Sequence, residues 1–72
     1  MITAGILADN YKLERFKKEL TEKGFKDFEI VANTKGTLAG TSTIKVQAKD
    51  VLQLKEIEKI CKRVEMHYKR SN

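Results

Sequence analysis

The segment Asn33–Thr43, NTKGTLAGTST, holds two of the chain's four glycines, four threonines and a lysine. Those residue types can supply the amides, hydroxyls and ammonium of a phosphate cradle. A Walker-type loop needs Gly, four residues, then Gly-Lys-Ser/Thr, leading from a strand into a helix. Here Gly36 and Gly40 are three residues apart, no lysine follows the second glycine, and the next segment, STIKVQAK, alternates like a strand. The dinucleotide fingerprint also fails, because no helix opens after the glycines. The spacing predicts a hairpin connection, with NTKG or LAGT supplying a turn at positive φ and Leu38 exposed near its tip. A nucleotide or phosphate site between Lys35, Lys45 and this loop is the weakest of three functional readings.

Other chemistry-bearing residues do not converge. His67 is the single histidine and Cys61 the single cysteine. Six residues apart on one helix, they point about 120° away from each other and cannot form a nucleophile–base pair. One cysteine makes no intrachain disulfide, and no His/Cys/carboxylate cluster has metal-ligand spacing. Asp9, Asp27 and Asp50 stand at element boundaries, where caps and turns use them. Tyr11 and Tyr68 read as partly buried aromatics with wet hydroxyls. The expectation is a non-enzymatic protein with no cofactor and no metal.

Five elements must position these groups. ITAGIL (Ile2–Leu7) reads as a buried strand, weakened by Gly5. Asp9 or Asn10 can cap the first helix, whose apolar stripe is Leu13, Phe16 and Leu20. Gly24 suits the left-handed residue after its last turn, with Phe25 folded back on Leu20 in a Schellman motif. Phe28, Ile30 and Ala32 alternate with Glu29, Val31 and Asn33. Ile44, Val46 and Ala48 alternate with Thr43, Lys45, Gln47 and Lys49, so both segments are half-buried strands. Asp50 with Gln53 forms a capping box opening the second helix, which runs toward Tyr68 and frays at Arg70–Asn72.

The order β-α-β-β-α predicts an α+β fold in a single small domain, residues 1–72. Right-handed crossovers place both helices on one face of a three-stranded sheet of mixed strand direction, the last strand central and antiparallel to both others. This order resembles a ferredoxin-like domain lacking its final strand, a resemblance of topology that carries no function.

The helices distribute charge differently. On the second, Leu54, Ile57, Ile60, Cys61, Val64 and Tyr68 share an arc about 120° wide, a core-facing stripe. Lys55, Lys59, Lys62, Arg63, Lys69 and Arg70 share the opposite arc, with Met66 near its centre and Glu56, Glu58 and Glu65 on its borders. Glu58 with Lys62 and Glu65 with Lys69 have favourable i, i+4 spacing. On the first helix, Lys12, Arg15, Lys17, Lys18 and Lys23 alternate with Glu14, Glu19 and Glu22 as an ordinary solvated surface.

Seventy-two residues with a formal charge of +5 suit one domain with a thin stability margin and anionic partners. No apolar run reaches the roughly 20 residues of a membrane span, and the N-terminus lacks the basic leader of a secretory signal. The expected setting is soluble and intracellular. The leading functional expectation is a small binding protein of adaptor, regulator or inhibitor type. It acts on a protein partner through Lys55, Lys59, Lys62, Arg63, Lys69, Arg70 and Leu38. The runner-up is a nucleic-acid module placing the same cations on duplex phosphates. Base stacking on the sheet is disfavoured, because Phe16, Phe25 and Phe28 belong to the core and the open face carries no aromatic. An exposed edge strand could extend the sheet across a homodimer.

Overall fold

The computed structural model describes residues 1–70, with only the backbone at Arg70. The expected order holds: β1 (Ile2–Asp9), α1 (Leu13–Glu22), β2 (Phe28–Asn33), β3 (Thr41–Ala48) and α2 (Val51–Arg70). Single 3-10 turns at Asn10–Lys12 and Gly36–Leu38 join β1 to α1 and β2 to β3. The expected fraying falls on Arg70, which is helical, and on Ser71 and Asn72, which lie outside the described residues.

The sheet order is β1-β3-β2, and both ladders are antiparallel. β1 and β2 therefore run parallel to each other without pairing, so the sheet is antiparallel at every ladder and not mixed as expected. Two bonds fix the hydrogen-bonding phase. Asn10 N–H donates to the Gly40 carbonyl at 3.0 Å and Gln47 N–H to the Asp27 carbonyl at 3.2 Å. Alternation along an antiparallel ladder then directs the even-numbered residues of β1 toward β3. Thr3, Gly5 and Leu7 are left with backbone groups aimed at the free edge. On β2 the outward residues are Phe28, Ile30 and Ala32.

Both helices cover one face. Ile6, Ala8, Ile44, Val46 and Ala48 from the sheet meet Phe16, Leu20, Phe25, Ile57, Ile60 and Val64 in one core. β1 is thus half-buried and not buried throughout: Ile2, Ala4, Ile6 and Ala8 face the helices while Thr3, Gly5 and Leu7 are exposed.

The Schellman exit of α1 forms as expected. Gly24 takes φ 87°, Phe25 N–H reaches the Leu20 carbonyl at 2.9 Å and Gly24 N–H the Thr21 carbonyl at 3.0 Å. At α2, Gln53 N–H donates to Asp50 Oδ1 at 2.9 Å, and Gln53 Oε1 accepts from Lys49 N–H at 2.7 Å. The entry of α1 differs from expectation. Neither Asp9 nor Asn10 caps it through a side chain, because both are engaged elsewhere. Asn10 Oδ1 accepts from the buried Ser42 hydroxyl at 2.6 Å, and Asp9 pairs with Lys12 at 3.6 Å.

Candidate functional site

The segment Asn33–Thr43 is a hairpin connection with its own polar groups turned inward. Gly36 and Gly40 take φ 66° and 87°, the positive-φ positions that side chains disfavour. Asn33 Nδ2 donates to Thr41 Oγ1 at 3.1 Å and to Thr43 Oγ1 at 3.4 Å, and Thr41 Oγ1 donates to the Leu38 carbonyl at 2.6 Å. Leu38 is 46% exposed. Thr41 and Thr43 belong to the odd-numbered, open-face set of β3, so this loop is tied to the side of the sheet away from α2. Leu38 and the basic helix face are separate patches.

On α2 the 3.6-residue period puts Ile57, Ile60 and Val64 in the core, with Leu54, Cys61 and Tyr68 half-buried. Lys55, Lys59, Lys62, Arg63 and Lys69 are exposed on the opposite side. The Arg70 side chain lies outside what the structure describes. The cations are not equivalent. Lys59 lies 3.6 Å from Glu56, an exposed pair of small energetic weight. Arg63 reaches across to α1, its Nη1 donating to Glu19 Oε1 at 3.0 Å, while Arg15 Nη2 lies 3.2 Å from Glu19 Oε2. Glu19 is only 4% exposed, so Arg63 neutralises a buried carboxylate and its charge is turned inward.

Neither expected i, i+4 pair forms on α2. Glu65 accepts instead from Lys12 Nζ at 3.2 Å. Lys12 is buried at 9% exposure, with its ammonium 5.6 and 5.7 Å from the ring centroids of Tyr11 and Tyr68. Burial alone would lower its pKa; the Glu65 hydrogen bond and charge, with Tyr11 and Asp9, outweigh that and hold it above the ordinary lysine value. Tyr68 packs edge-on to Tyr11 and donates its hydroxyl to the Tyr11 carbonyl at 3.2 Å. Tyr11 itself is exposed, contrary to the expectation of partial burial.

The exposed side of α2 therefore presents a ridge of Lys55, Lys59, Lys62 and Lys69, with Met66, 50% exposed, between the last two. Beside Met66 a shallow groove of about 350 Å³ is lined by Cys61, Lys62, Glu65, Met66 and Lys69. Burial, then Glu65, pushes the Cys61 thiol above its ordinary pKa, leaving it protonated and a weak nucleophile at neutral pH.

Reading α1 as a uniformly solvated surface missed Lys12 and Glu19. Helical spacing held a signal: Lys12 falls about 40° and Glu19 about 60° from Phe16, on the border of the apolar stripe.

Among the described residues no three His, Cys, Asp or Glu side chains are grouped to hold a metal ion, and no helix is long and apolar enough to cross a membrane. No protein-family model matches the chain, and no curated protein or solved structure is significantly similar to it.

Proposed function

We propose that this chain is a small non-enzymatic binding module that docks on another protein through the exposed side of α2. The observation that carries this reading is the apolar floor inside the lysine ridge. Met66 and the groove beside it lie between Lys62 and Lys69, with Lys59 and Lys55 farther along the same side of the helix. A row of cations leading to an apolar contact fits an acidic protein segment with an apolar anchor. The lysines would steer association and the anchor would hold the complex. Leu38 is a second contact, on a separate patch.

The runner-up, duplex binding through phosphates, has the ridge in its favour but loses Arg63 to Glu19. It also gives the exposed Met66 no role.

The test compares the wild type with the K55E/K62E/K69E variant and with Met66→Asp, in pull-downs from lysate and in titrations with duplex DNA and RNA. A protein captured by the wild type and released by both variants is the expected outcome. Nucleic-acid affinity that falls steeply between about 50 and 200 mM salt, is lost in the lysine variant and survives Met66→Asp would replace this reading with the runner-up.

A further inference from the structure

We infer that β1 is a dimerisation edge, pairing antiparallel with β1 of a second copy about a twofold axis through Gly5. This proposal is independent of the α2 reading and concerns a different surface.

The backbone phase of the sheet sends the N–H and C=O groups of Thr3, Gly5 and Leu7 outward, and no described turn or loop backbone bond reaches them. An antiparallel partner must present outward residues to outward residues. Setting Gly5 opposite Gly5 of the second copy does so throughout, since Thr3 then meets Leu7 and Leu7 meets Thr3. Each of these three pairs exchanges two backbone hydrogen bonds. The arrangement is isologous, as a twofold dimer requires. Side chains of opposed residues share a face, so the axis stands normal to the sheet. The result is one six-stranded sheet with all four helices on the same side.

Edge strands in monomers are guarded by charge, proline, bulges or shortness. Ile2–Ala8 has none of these: it carries no charged residue and no proline, and its register with β3 is unbroken. The one charged residue of β1, Asp9, lies beyond this stretch at the end of the ladder. The opposite edge, β2, is shorter and carries Glu29 within a stretch flanked by Lys26 and Asp27. On the core side, Ile2 and Ala4 are half-buried where Ile6 and Ala8 are buried. The proposed register sets Ala4 beside Ile6 and Ile2 beside Ala8 of the partner, covering the two that are incompletely covered. On the open side it sets Leu7, 58% exposed, beside Thr3.

The full chain is measured by analytical ultracentrifugation across micromolar to millimolar concentration, together with Gly5→Lys and Gly5→Pro. A Cβ on Gly5 meets no atom within 4 Å, so lysine fits the monomer but sets two like charges face to face at the axis. Proline removes an N–H that only the second copy uses. The expected result is a mass rising from one 8.3 kDa chain toward two in the wild type. Both variants should remain monomeric with an unchanged far-ultraviolet spectrum. Amide exchange keeps the test decisive if proline disturbs folding. On dimerisation, Thr3, Gly5 and Leu7 should slow by at least about tenfold, while Ile30 and Ala32 do not. A wild type that stays monomeric throughout overturns the proposal. So does a dimer that survives Gly5→Lys, or one that protects Ile30 and Ala32 instead.

Discussion

Glu19 shows how one side chain can change the meaning of its neighbours. Its carboxylate, almost wholly withdrawn from water, is held by Arg15 and Arg63. Breaking a buried pair by neutralising one member strands the other, whereas exposed ends can rehydrate. Arg63 is 48% exposed, so Glu19→Gln should cost about 1.5–3 kcal/mol, the worth of a charge-assisted hydrogen bond. For a domain of this size, that is a fall in melting temperature of roughly 6–24 °C at about 4–8 °C per kcal/mol. A double-mutant cycle with Arg63→Met should return most of this as coupling; additive losses would show that Arg63 is a solvated cation after all. The carboxylate's burial was legible in the helical wheel only as a border position, because residue type argues for solvent and nothing local reveals an arginine arriving from a helix 44 residues on. Some short-range chemistry, by contrast, was read correctly: the Asp50–Gln53 cap and the glycine turn of the hairpin depend on residues within a few positions of each other, whereas the α1 cap and the i, i+4 pairs of α2 lost their residues to distant partners or to solvent.

At the level of elements, α1 is closed firmly at its end and loosely at its start. Its first turn has no side-chain cap, since Asn10 holds Ser42 and Asp9 pairs with Lys12. Its exit is fixed by Gly24 at φ 87° with both Schellman bonds made. A Cβ there meets no neighbouring atom, so the cost of Gly24→Ala is conformational alone, about 1–2 kcal/mol. Chemical denaturation should show a lower midpoint with an unchanged slope; a wild-type midpoint would mean that the motif contributes nothing. Strand order, helix stripes and the one-sided core were legible because alternation and the 3.6-residue period survive in a single sequence. The exposure of one face of β1 was not read, because ITAGIL contains no polar residue except Thr3 and its apolar run masks the two-residue period. The competition for Asn10 was also illegible, since its partner Ser42 lies 32 residues away.

For the molecule as a whole, two groups tie stability to alkaline pH. Lys12 links the Asn10–Lys12 turn to α2 through Glu65 and the tyrosine pair, and its folded pKa lies above the ordinary value. The Cys61 thiol is raised as well, by burial and by Glu65. A group whose pKa is higher in the folded state contributes stability that is complete below its unfolded pKa and is lost as pH rises through the folded one. Both therefore act in the same direction, at different thresholds. Loss from Cys61 begins near the unperturbed thiol value of about 8.5, and that from Lys12 near about 10.4. Denaturant midpoints should be flat through neutrality, decline first above the thiol range, and decline further in the lysine range. Cys61→Ala should remove the first decline, and Lys12→Met should shrink the second while lowering stability at neutral pH, because Glu65 and Asp9 lose their partner. A first decline that persists in Cys61→Ala would assign it to another group, while a neutral-pH stability unchanged by Lys12→Met would mean that the buried ammonium does not tie α2 to the Asn10–Lys12 turn.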